Sequence, residues 1–73
     1  MTIRKIINLM LKSSDTNPYT GKLSKEDNYK AAIELSELCL DFAQKGCNDE
    51  AMNIPVNDWE LVISKLKQKL NEI

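Results

Sequence analysis

The sequence predicts an all-α fold: a small three-helix bundle in one domain over residues 1–73, completed by dimerisation. Three observations point there. Three stretches carry apolar residues at helical spacing. No window sustains the period-two alternation of a half-buried strand, so no strands are expected. The turn-forming residues gather between the stretches rather than within them.

The first helix is expected over Thr2 to Lys12. Ile3, Ile6, Ile7, Met10 and Leu11 follow the i, i+3, i+4, i+7, i+8 pattern of an amphipathic helix. With Leu9 added, the apolar arc is roughly 200° wide at about 100° per residue. Arg4, Lys5, Asn8 and Lys12 fill the remainder. Ser13 to Leu23 reads as a connection rich in turn formers, and Asn17 before Pro18 is disfavoured in a helix.

The second helix is expected from Lys25 to Lys45. Ser24 suits the N-cap, and Glu26 and Asp27 suit the positive end of the dipole. Gly46 suits the left-handed residue past the C-terminus, which would bring Cys47 toward Phe42. Polar residues occupy only about 100° of the wheel, so the pattern predicts a central, mostly buried helix. Asn48 to Met52 has the residues for one extra helical turn, near 49–53, stopped before Pro55.

For the third helix, Asn57 is the expected N-cap, with Glu60 three residues on and Val56 and Leu61 at the staple positions. Trp59, Ile63, Leu66, Leu70 and Ile73 then step by 4, 3, 4 and 3, joined by Val62. That stripe is narrow, about 100°.

Composition narrows the function. Hydrophobic residues are 42% and charged residues 29% of the chain, as in ordinary globular proteins. Ten Lys+Arg against eleven Asp+Glu leave a net charge of −1, which argues against a broad electrostatic grip on nucleic acid. There is no histidine, so the commonest general base and metal ligand are missing. Two cysteines without histidine make a poor zinc site, and two glycines build no phosphate loop. No cofactor or metal is expected, and no enzymatic activity. No apolar stretch approaches the ~18 residues of a membrane span, and no signal peptide is expected. Lysine outnumbers arginine nine to one, and Asn and Ile each occur seven times. These residues have AT-rich codons, which points to a bacterial or phage genome.

Several residues invite a sharper reading. Cys39 sits on the apolar arc of the second helix, where packing explains it better than redox chemistry. Unbridged cysteines fit a reducing cytosol, so a cytoplasmic protein is expected. Glu34, Glu37 and Asp41 share one helical face and offer an acidic docking surface, against the plainer reading of a solvated face. A catalytic carboxylate pair would need a pocket and unequal environments, which one exposed face does not supply. Arg4, Lys5 and Lys12 beside an apolar arc resemble a membrane-surface helix, but packing on the second helix explains them better. Lys65, Lys67 and Lys69 spread around the third helix rather than forming one stripe. Tyr19, in a turn, is expected to fold over the edge of the core more readily than to anchor an interface.

The first two apolar arcs exceed what a lone three-helix bundle covers. The expected remedy is a homo-oligomer packed two-fold through Ile3, Ile6, Leu9, Met10, Leu35, Leu38 and Phe42. The resulting expectation is a non-catalytic cytosolic factor that acts by binding another protein, of regulatory, inhibitory or immunity type. The alternative is a nucleic-acid-associated regulator using Lys-bearing helix surfaces.

Overall fold

The computed structural model describes residues 2–19, 21–46 and 54–73. Three helices pack around one apolar core: α1 (Ile3–Ser13), α2 (Lys25–Gln44) and α3 (Val56–Asn71). The extra turn expected near 49–53, and Cys47, lie outside the described residues.

Helix α1 starts at Thr2, whose hydroxyl accepts from the Lys5 amide at 3.3 Å. Its Ile6, Ile7 and Met10 are buried, and Ile3 and Leu11 pack half-buried beside them. The chain then turns through a two-residue antiparallel ladder, β1 (Thr16–Asn17) against β2 (Gly21–Lys22). This corrects the expectation of no strands. Turn chemistry, not alternation, makes the ladder: Asn17 Oδ1 accepts from the Tyr19 amide at 2.8 Å, and Gly21 takes φ +85°. Two residues are too few to show any period.

Helix α2 begins as its sequence indicates. Ser24 Oγ accepts from the Asp27 amide at 3.2 Å, and Glu26 and Asp27 lie in the first turn. Gly46 follows the C-terminus with φ +77°, the left-handed conformation that favours glycine. The expectation of a mostly buried helix is not met. Only Ala32, Ile33 and Ser36 of α2 are buried. At 20 residues α2 is the longest helix, and α1 and α3 cover one side of it. Ser36 is fully buried, its hydroxyl donating back to the Ala32 carbonyl at 2.8 Å.

Asn28 ties α1 to α2. Its amide is assigned with nitrogen toward α1, because the opposite orientation sets oxygen against two carbonyls. So placed, it donates to Leu11 O at 2.9 Å, which also accepts from the Ser14 amide at 3.3 Å, and to Ser14 O at 3.0 Å, just past the end of α1.

Helix α3 supplies the centre of the core with Trp59, Val62, Ile63 and Leu66. Its start corrects the sequence reading. The N-cap is Pro55, with φ −59° and ψ 151°, and no side chain caps the helix. Asn57 and Glu60 therefore form no capping box. The fixed φ of Pro55 already suits the approach to a helix, and its carbonyl accepts from Asp58 N and Trp59 N. Leu61 is 49% exposed, so Val56 and Leu61 do not form the staple. Counting from Pro55, the staple positions fall on Ile54 and Trp59, and both are buried in the core.

Candidate functional site: the outer face of α2 and the α1/α3 groove

Two surfaces stand out, and they differ in chemistry. The first is the outer face of α2. On the wheel, Ala31, Leu35, Leu38 and Phe42 step by 4, 3 and 4 residues, the spacing of a helix-packing seam. They flank the buried stripe of Ala32, Ile33 and Ser36. Ala31 and Leu35 are half-buried, while Leu38 and Phe42 are 52% and 48% exposed. A stripe of this kind, open along two turns, is how helices present themselves to other helices.

Acids border that seam. Glu34, Glu37 and Asp41 are all exposed. Asp41 pairs with Lys45 at 3.0 Å within the helix, and Glu37 meets Lys67 of α3 at 3.7 Å. Such exposed pairs contribute little to stability. Among the described residues Glu34 makes no ion pair. The acidic stripe is thus a half-neutralised rim of the apolar seam.

The seven residues expected to form one interface separate into different places. Ile6 and Met10 are 0% and 2% exposed and belong to the chain's own core. Ile3 and Leu35 are half-buried. Leu9, Leu38 and Phe42 are exposed. Most of the α1 arc is covered from within the chain, so of these seven residues the uncovered ones lie chiefly on α2. Leu61 of α3 and Ile73 just past its end are exposed as well, singly rather than as a stripe. Tyr19 does not fold over the core: it is 94% exposed.

The second surface is a groove of about 520 Å³ between α1 and α3. Ile3 and Ile7 give it an apolar lining, and Arg4, Asn8, Lys65 and Lys69 complete it. No acid lines it. Among the described residues the lysines in ion pairs are Lys30, Lys45 and Lys67, so the three groove cations have no carboxylate partner. Arg4 also stands in the first turn of α1, which holds no acid, so its charge opposes the helix dipole. A smaller hollow of about 250 Å³ shares Lys69 with Lys25, Tyr29, Glu72 and Ile73.

This grouping was missed in the sequence. Lys65 and Lys69 lie four residues apart and share a face, but Lys67 between them points to Glu37. Treating the three lysines together hid the pair. The partner cation, Arg4, comes from the other end of the chain.

Cys39 is a free thiol, half-buried rather than buried, and burial pushes its pKa up. That makes it a poorer nucleophile than an ordinary cysteine. Among the described residues no three His, Cys, Asp or Glu side chains group as a metal site, and no helix is long and apolar enough to cross a membrane. Comparison with protein families, with curated proteins and with solved structures finds no match.

Proposed function

We propose that this chain is a non-catalytic cytosolic factor that acts by binding another protein, and that it self-associates. The observation that carries the reading is the open seam on α2, where Leu38 and Phe42 stay about half exposed on consecutive turns. Full burial of such a side chain is worth ~1.5–3 kcal/mol, so covering each exposed half offers about 1 kcal/mol. Glu34, Glu37 and Asp41 along the rim would select a partner with basic flanks. The free, weakly reactive Cys39 suits a reducing compartment. A regulatory, inhibitory or immunity-type role fits a protein whose main asset is a surface.

The test pairs the wild type with a Leu38→Asp/Phe42→Asp double variant. Sedimentation equilibrium of the wild type should give a mass above 8.3 kDa at tens of micromolar. The double variant should stay monomeric with unchanged helicity, and should fail to retain from host extract whatever the wild type retains. Equal behaviour of the two proteins would reject the reading.

A second reading, a nucleic-acid-associated regulator, draws on one observation: Arg4, Lys65 and Lys69 converge on one groove, with no ion pair to them among the described residues. Phosphate contacts through them would give a gel shift that weakens steeply with salt.

A further inference from the structure

We propose that the chain associates head to tail, with the outer face of α2 from one copy seated in the α1/α3 groove of the next. The proposal rests on the reading of α2 as a protein-binding face and names its occupant as a second copy of this chain.

The two surfaces are chemical inverses. The α2 seam offers Leu35, Leu38 and Phe42 with Glu34 and Asp41 along one edge. The groove offers half-buried Ile3, beside the core residue Ile7, with Arg4, Lys65 and Lys69 around them. Apolar surface meets apolar surface. Among the described residues Glu34 makes no ion pair and Asp41 shares Lys45, and the two supply negative charge to groove cations that make no ion pair either.

Two-fold pairing of α2 on α2 does not achieve this. With Leu35 and Phe42 at a and Ala31 and Leu38 at d, Glu34 and Asp41 fall at g. In an antiparallel pair g lies opposite g, so the acids meet acids, with only Lys45 at the next d position, already paired with Asp41, to offset them. In a parallel pair g lies opposite e, and the e positions hold Ala32 and Cys39, which carry no cation. Lys30 and Lys45 of α2 already serve Glu26 and Asp41, and the cations without an ion pair among the described residues that lie beside an apolar lining are in the groove. Their position also answers an oddity of α1, whose first turn has Arg4 and Lys5 and no acid. A neighbour's carboxylates would supply the missing negative charge at that end. Nucleic acid would meet the cations but leave half-buried Ile3 unmatched, and the net charge of −1 opposes it.

A contact between two different surfaces is heterologous. Each copy keeps one face and one groove free, so assembly continues until a ring closes or a filament grows. This predicts a mixing result that two-fold pairing cannot give. Lys65→Glu/Lys69→Glu destroys the groove and keeps the face. Leu38→Asp/Phe42→Asp destroys the face and keeps the groove. Sedimentation velocity should show wild type growing past a dimer with concentration and shrinking as salt rises. Each variant alone should be monomeric, its half-association concentration raised at least ~10-fold. An equimolar mixture should form a species of two chains and stop there, because the remaining face and groove are both acidic. Circular dichroism on each variant guards against loss of fold.

Three outcomes would overturn the proposal. Association of the groove variant but not the face variant would show that α2 binds two-fold, keeping the protein-binding reading and removing the head-to-tail one. A monomeric wild type across the concentration range would remove self-association altogether. Unchanged association of the groove variant, with loss of a salt-sensitive gel shift on a random-sequence duplex, would assign the groove to nucleic acid.

Discussion

Helix α3 carries Trp59, Val62, Ile63 and Leu66, and all four are buried. Helix α2 is longer, 20 residues against 16, yet buries only Ala32, Ile33 and Ser36. The large Trp59, Val62, Ile63 and Leu66 of α3 point inward, while α2 turns Ile33 and the small Ala32 and Ser36 inward and leaves Leu38 and Phe42 about half exposed. Two of the three inward residues of α2 are small, and the larger Leu38 and Phe42 beside that stripe stay available. One helix is therefore built to hold the fold and the other to hold it and present a surface.

Matched substitutions should separate these roles. Leu66 is fully buried, so Leu66→Ala should cost roughly 2–5 kcal/mol, and Trp59→Ala about 3–5 kcal/mol. In a domain this thin, either change should leave little folded protein in urea titration. Ser24→Ala comes next. It removes the side-chain cap of α2 and should cost about 1 kcal/mol. Leu38→Ala, the same chemistry as Leu66→Ala on a half-exposed site, should shift monomer stability by no more than ~0.5 kcal/mol while weakening association. If Leu38→Ala proved as costly as Leu66→Ala, the seam of α2 would be part of the core.

Cys39 gives a smaller contrast within α2. Burial raises the folded thiol's pKa above that of the unfolded chain. Stability is then full at pH below the unfolded thiol's range and declines as pH rises through it, because the unfolded chain ionises first. Cys39→Ser should remove that alkaline decline. Alkylation of the native wild type should also be slower than in denaturant, though not blocked, since the residue is half-buried.

Helices α1 and α2, the cap at Ser24 and the left-handed Gly46 were legible in the sequence because each is set by neighbours along the chain. Burial was less so. The width of an apolar arc gives the surface a helix could bury, but not which flank another helix will cover. That is why Ile6 and Met10 turned inward while Leu38 and Phe42, equally apolar, did not. The groove was the least legible feature. Arg4 lies some sixty positions from Lys65 and Lys69, and only the packing of α1 on α3 brings them together.

The smallest effect tests the start of α3. The pattern of Asn57 and Glu60 matches a capping box, yet the helix begins at Val56, so Asn57 lies inside the first turn. A residue there has helical dihedrals, and its side chain is no longer placed to accept from the amide three residues on. Pro55 takes the cap position with extended ψ, and Asp58 supplies the negative charge near the positive end. Asn57→Ala therefore removes no cap and replaces an exposed residue of modest helix propensity with the best helix former. Its melting midpoint should stay within the error of the wild type or rise by the equivalent of a few tenths of a kcal/mol. Measured beside Ser24→Ala, it isolates the difference between the two helix starts. A loss of about 1 kcal/mol at Asn57 would mean that α3 starts two residues later in solution, with Asn57 as its cap after all.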